Sequence, residues 1–174
     1  VSIIEDTPGV TRDRIYSEVT YNNYRFNLID TGGIDVSQEL FNDEIKIQAS
    51  IAIEEADVVV FIVDGKEGLT TNDMVVRDML RKSKRRVIVA INKIDSKDSQ
   101  NHMYDFYELG FDSYIPISAE HNTGIYELLD EITKDFSEYT DVVEDNRLKF
   151  CVIGRPNVGK SSLINALLNE ERVI

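Results

Sequence analysis

The chain has 174 residues, of which 42% are hydrophobic and 29% charged, enough to bury one sizeable core with some residues left over. Its formal net charge of -13 excludes a broad electrostatic footprint for nucleic acid and leaves any RNA contact to a local patch or to other parts of a larger protein. No apolar run reaches the ~20 residues that span a bilayer, no secretory leader opens the chain, and the single cysteine, Cys151, cannot form an internal disulfide, so a cytoplasmic chain without a membrane partner is expected.

The chain starts at Val1 and stops at Ile174 with no recognisable terminating element, which reads as a fragment or a rearrangement of a longer protein. Its first motif is DTPGVTRD, Asp6 to Asp13. A threonine that joins a magnesium shell only when a γ phosphate is present would account for such a loop, with Thr11 the candidate. A plain turn at Pro8 and Gly9 explains the same residues equally well. IYSEVTY, 15 to 21, alternates polar and apolar residues and predicts an edge strand, paired antiparallel with YRFNLI, 24 to 29, across Asn22 and Asn23.

DTGG follows that second strand. Asp30 at a strand's carboxyl end suits a magnesium shell, and the Gly33 N–H suits a γ phosphate, with Thr31, Gly32 and Ile34 lining the same turn. Taken alone, the four residues describe an ordinary strand-to-loop turn.

Helical spacing over about 39 to 54 leads to the strand DVVVFIV, 57 to 63, and spacing over 72 to 83 puts Met74, Val75 and Leu80 in a core-facing stripe. The basic run RKSKRR, 81 to 86, reads as a solvated helix end, with an RNA contact as the competing reading. RVIVAI, 86 to 91, is the next strand, and NKID follows it. The Asp95 carboxylate can accept two hydrogen bonds from a guanine edge, where adenine would leave a charge unpaired. Asn92 braces this loop, the Lys93 stem packs over the ring and Ile94 completes the turn. Standing by itself, NKID fits a helix cap.

Helical spacing over 101 to 108 precedes SYIPI, 113 to 117, and then SAE, whose Ser118 and Ala119 would close the guanine pocket with the Ala119 N–H on the base carbonyl. His102 and His121 lack a paired acid or metal-like spacing and read as surface or loop residues. A helix over 124 to 136 ends in SEYTDVVEDN, an acidic stretch that reads as a linker or, alternatively, as a helix end and loop.

LKFCVI, 148 to 153, is one more buried strand, and Cys151 within it reads as a small core hydrophobe. Such near-continuous apolar runs alternating with helices predict an α/β layered fold with a mainly parallel sheet. Gly154, Arg155, Pro156, Asn157, Val158, Gly159, Lys160 and Ser161 then satisfy G-x-x-x-x-G-K-[ST] between this strand and the helical run that begins at Ser161 and Ser162. The glycines let consecutive N–H groups turn toward phosphate, Lys160 reaches the β and γ phosphates, and the Ser161 hydroxyl ligates Mg²⁺.

Together the segments VSIIEDTPGVTRDR, FNLIDTGGI, ADVVVFIVDGKEGLT, NKID, YIPISAE and IGRPNVGKSSLINALLNEERVI resemble the translation-factor-like bacterial GTPases, and within them those with two GTPase domains in tandem. The resemblance covers nearly the whole chain. It implies the three-layer P-loop NTPase fold of Ras-like GTPases, with the phosphate loop at the C-terminal end of the chain. It also implies GTP or GDP with Mg²⁺, hydrolysis of GTP, and a role in assembly of the large ribosomal subunit through that subunit or its rRNA.

The same resemblance divides the chain into a first GTPase domain without its own phosphate loop (1–136), a linker (137–147) and the opening of a sister GTPase domain (148–174). It further implies K⁺ at Asn157, for which a loop-stabilising amide is the alternative, and slow intrinsic hydrolysis, because Ile34 stands where a water-orienting glutamine would be. Lys160, Thr11 and Gly33 then carry the catalytic chemistry. Two readings of origin remain, a window cut from a tandem protein or a circular permutation, and a non-enzymatic ribosome-binding piece is the alternative function. In either case LKFCVI is expected to fold back into the vacant central slot of 1–136.

Overall fold

A computed structural model describes residues 15–31, 43–94, 102–136, 148–155 and 157–168. The first hairpin forms as its alternation predicts: β1 (Ile15–Tyr21) pairs antiparallel with β2 (Tyr24–Asp30), and Asn22 takes the left-handed φ of 51° in the turn between them. Next come α1 (Asp43–Glu55), β3 (Val58–Asp64), α2 (Thr71–Ser83) and β4 (Arg86–Asn92). A 3₁₀ helix (His102–Leu109), β5 (Ser113–Pro116), α3 (Ile125–Thr133), β6 (Leu148–Ile153) and α4 (Lys160–Leu168) complete the order.

The six strands form one sheet in the order β1-β2-β6-β3-β4-β5, so the last strand in sequence lies between two early ones. It runs parallel to both neighbours, with Leu28 opposite Phe150 on one side and Val60 opposite Val152 on the other. This is the back-folded arrangement expected for LKFCVI. At its start the Asp57 N–H donates to the Lys149 carbonyl at 2.8 Å, and the Lys149 N–H donates to the Asp57 carboxylate at 2.9 Å.

Period-two geometry splits the side chains of β6 between two cores. Phe150 and Val152 join Val58, Val60, Ile62 and the apolar faces of α3 and α4. Cys151 and Ile153 join Val59, Phe61, Val63 and the faces of α1, α2 and the 3₁₀ helix. The result is a three-layer α/β architecture.

Two sequence expectations need correction. Val75 is 39% exposed, because Val76, one turn before Leu80, takes the core position instead. β5 is only partly buried, since it borders the sheet with β4 as its one strand neighbour. The basic run is a helix end with structural partners: Arg81 donates to the carbonyls of Leu109 and Gly110, Arg85 to that of Glu54, and Arg86 pairs with Glu131 at 2.9 Å.

The buried position of Cys151 makes the placement of β6 directly measurable. The thiol should resist a thiol-reactive reagent in the native protein and react in parallel with global unfolding by denaturant; immediate native-state labelling would contradict a docked β6. Phe150→Ala should lower unfolding stability by about 3–5 kcal/mol in the same titration, because its ring is fully buried against Phe26 at 5.3 Å.

Candidate functional site

The parallel strands β2, β6, β3 and β4 end at one rim of the sheet, where open α/β sheets place ligands. β6 delivers Gly154 to this rim. A Cβ on Gly154 would stand 2.6 Å from the Ile62 carbonyl oxygen, so the loop leaves the sheet at a distance only glycine permits. Gly159 adopts φ +96°, and a Cβ there would lie 2.2 Å from the Asn92 Nδ2 atom. The second glycine of the motif is therefore fixed both by backbone conformation and by its neighbour.

That neighbour joins two loops. The buried Asn92 amide donates from Nδ2 to the Val158 carbonyl at 2.7 Å and accepts at Oδ1 from the Ala119 N–H at 3.0 Å. One side chain thus ties the phosphate loop to the segment after β5. Lys93, held at φ 67°, donates from Nζ to the Asn157 carbonyl at 2.8 Å and to the Asp64 carboxylate at 2.7 Å. The loop after β5 is shaped by paired Ser118 and Thr123 main chains, and the Ile94 N–H reaches it through the Ile117 carbonyl at 3.1 Å.

Lys160, first residue of α4, is 8% exposed, and its ammonium donates to the Arg155 carbonyl at 2.9 Å across the loop. Ser161 is partly buried, Ser162 is exposed, and the Asn157 side chain is exposed at φ 62°. Thr31 behaves differently from a ligand-binding residue: its buried hydroxyl donates to the Val152 carbonyl and stitches β2 to β6. The structure therefore brings together Asn92, Lys93, Ala119, Ser118, Asn157, Val158, Gly159, Lys160 and Thr31. Thr11, Gly32, Gly33, Ile34, Asp95, Pro156 and the Asp30 side chain lie outside the described residues.

Sequence reading missed the acidic partners contributed by the end of β3 and the start of α2. Asp64 accepts from Lys93 and from the N–H groups of Lys66 and Glu67. Burial works against its charge, but the Lys93 ammonium and the two N–H groups outweigh it and hold the carboxyl below its usual range. Asp73 is fully buried in a capping box with Thr70, and burial raises its carboxyl above the usual range despite those hydrogen bonds. Arg155 reaches both Glu67, at 2.8 Å, and Asp73, at 3.4 Å. The T-x-x-D spacing of Thr70 and Asp73 ahead of an apolar run was the available signal for the cap. Among the described residues no group of three or more His, Cys, Asp or Glu side chains is arranged to hold a metal, and no helix is long and apolar enough to cross a membrane.

The rim thus combines a glycine-shaped loop, a lysine that reaches back across it and an asparagine brace. The family model for the 50S ribosome-binding GTPase matches residues 1–93 and 149–174. The chain belongs to this family. It is similar to GTPase Der of Staphylococcus haemolyticus, at 53% identity over 100% of this chain and 40% of that protein. GTPase Der of Macrococcus caseolyticus is 54% identical over the same shares. The chain thus spans about 40% of the length of the curated relatives it matches. Among solved structures, translation elongation factor SelB from Methanococcus maripaludis, in complex with the GTP analogue GppNHp, is similar at a TM-score of 0.55 and 26% identity, over 75% of this chain and 30% of that one.

The depressed Asp64 carboxyl fixes a sign for acid stability. Its contribution is fully present above the unfolded carboxyl value of about 3.9 and is lost as pH falls through the lower folded value. Asp64→Asn should therefore be less stable than the parent at neutral pH, with the two unfolding curves converging in that acid window; a difference independent of pH would contradict the pairing with Lys93.

Proposed function

We propose that the chain is a portion of a GTP-binding, GTP-hydrolysing switch that acts in assembly of the large ribosomal subunit, and that on its own it forms one composite guanine-nucleotide site. The observation that carries this reading is the Asn92 side chain, which ties the phosphate loop at Val158 to the loop after β5 by accepting the Ala119 N–H; that N–H is held by Asn92 and reaches a guanine carbonyl only by being shared with it or released. In the composite site Gly154 to Ser162 wrap the phosphates, and Lys160 faces the β and γ groups. Lys93, Asp95, Ser118 and Ala119 read the base.

The donor chemistry of Ser161, at the first turn of α4, fits Mg²⁺, with Asp30 and Thr11 assigned to the same shell and Gly33 to the γ phosphate. Asn157, whose exposed amide stands beside the phosphate-loop backbone, is assigned to K⁺. Ile34 offers no hydrogen bond to water, so hydrolysis is slow without that cation or a partner.

For the intact protein we assign residues 1–136 to a first GTPase domain, 137–147 to an acidic linker and 148–174 to the start of a sister domain. The colinear relation of the whole chain to about 40% of Der supports this window over a circular permutation as its origin. The large subunit and its rRNA are then partners of the whole protein in the cytoplasm. In the isolated chain, the segment from the sister domain occupies the slot in the first.

Titration with fluorescent GDP tests the composite site. Saturable binding is expected and should be lost, by ~100-fold or more, in Lys160→Ala, since a charged phosphate contact contributes ~1.5–3 kcal/mol and its loss leaves phosphate charge unmatched. Absence of binding by the parent would leave an inert binding module. Asp95→Asn should shift preference from guanine to xanthine nucleotides, and an unchanged preference would refute the base contact.

A further inference from the structure

Arg155 is the second residue of the phosphate-loop motif, yet its side chain points away from the space the loop encloses. It is only 11% exposed and lies against the segment between β3 and α2, with Nη2 2.8 Å from Glu67 Oε2 and Nε 3.4 Å from Asp73 Oδ1. The approach to Asp73 matches charge without hydrogen-bond alignment, since Arg155 Nε and Asp73 Oδ1 are buried with no hydrogen-bond partner. Asp73 cannot turn to improve the fit. Its other oxygen, Oδ2, accepts from the Thr70 N–H at 2.9 Å and from the Thr70 hydroxyl at 2.7 Å, so the carboxylate is anchored to the first turn of α2. A fully buried carboxylate deprived of its cation is strongly unfavourable.

The main chain of the same arginine acts on the phosphate loop directly. Its carbonyl accepts from Lys160 Nζ at 2.9 Å and orients the ammonium assigned to phosphate. A shift of the Arg155 main chain moves that acceptor. A parallel tie runs through Lys93, which connects Asp64, at the start of the same segment, to the Asn157 carbonyl. Residues 64–73 thus hold the phosphate loop at two points.

We propose that Asp73 and Arg155 are a positioning pair that fixes the start of the phosphate loop, and through the Arg155 carbonyl the Lys160 ammonium, for a nucleoside diphosphate or triphosphate. The pair touches no substrate atom. This inference rests on the guanine-nucleotide reading above and adds to it a device for recognising the phosphate end of the ligand. The competing account is that Asp73 serves only to cap α2. It predicts that the cap hydroxyl and the carboxylate matter in the same way.

The test measures affinity for GDP and for GMP by calorimetric competition in the full 174-residue chain, together with the melting temperature of the nucleotide-free protein. Asp73→Asn should weaken GDP by ~10-fold and GMP by less than ~2-fold, within the range of couplings between contacting groups. Arg155→Met should do the same, and the double variant should lose no more than either single. Arg155→Lys, which keeps the charge, should recover part of the GDP affinity and covers the case in which Asp73→Asn does not fold. Thr70→Ala removes the cap hydroxyl and should lower the melting temperature while leaving the GDP-to-GMP ratio unchanged. A parental ratio in Asp73→Asn, or a Thr70→Ala ratio shifted as far, overturns the pair while leaving the guanine reading intact. Failure of the parent chain to bind GDP overturns both.

Discussion

The structure depends on filling one slot, the gap between β2 and β3 that β6 occupies. Without β6, two inner strands would present unpaired N–H and C=O edges, and the cores on both faces would open along their centre. Its side chains close both gaps at once, Phe150 and Val152 on one face and Cys151 and Ile153 on the other. Filling the slot also carries Gly154 to the rim beside Ile62, at a separation no larger residue allows. Hydrophobic burial thereby sets the position of the phosphate loop, and the polar contacts then refine its shape.

Those polar contacts resolve an apparent conflict between a chain of net charge -13 and a polyanionic ligand. Two of the cations at the rim are already matched to carboxylates, Lys93 to Asp64 and Arg155 to Glu67 and Asp73. Their work is to fix backbone, since Lys93 also holds the Asn157 carbonyl and the Arg155 carbonyl holds Lys160. In the proposed nucleotide site, charge for the phosphates comes from Lys160 and the N–H groups opening α4, with the proposed cations supplementing them. The acidic surface elsewhere has little leverage on this site, because exposed charges beyond ~10 Å are largely screened at ordinary ionic strength.

Much of this was legible in the sequence, for reasons that differ by element. Strands β3, β4 and β6 are buried on both faces, so VVVFIV, RVIVAI and LKFCVI read as unbroken apolar runs. The brace at Asn92 was readable only in part: NKID taken alone fits a helix cap, and the partners of the side chain, the Val158 carbonyl and the Ala119 N–H, come together only when the fold joins the two loops. Val75 misled because two adjacent valines compete for one helical stripe, and only packing decides that Val76 enters the core. The pairing of Arg155 with Asp73 was not readable. The two are 82 positions apart, and arginine and aspartate are ordinary surface residues until the fold buries them.

The same contacts bear on how a strand and loop from the proposed sister domain would fit the slot between β2 and β3. The core asks of β6 only apolar side chains in period two, and the rim asks for glycine at 154 and 159. Of the side-chain ties that then hold the phosphate loop, those from Asn92 and Lys93 end on the carbonyl oxygens of Val158 and Asn157, which any residue would offer. As acceptors these carbonyls are indifferent to the side chains of Val158 and Asn157, although the Asn92 amide does require glycine at 159. The contact of Arg155 with Glu67 and Asp73 is different, since it needs a guanidinium at one position and buried charge at another. Backbone acceptors make the docking general, and the arginine is the one tie among them through which loop identity can be selected.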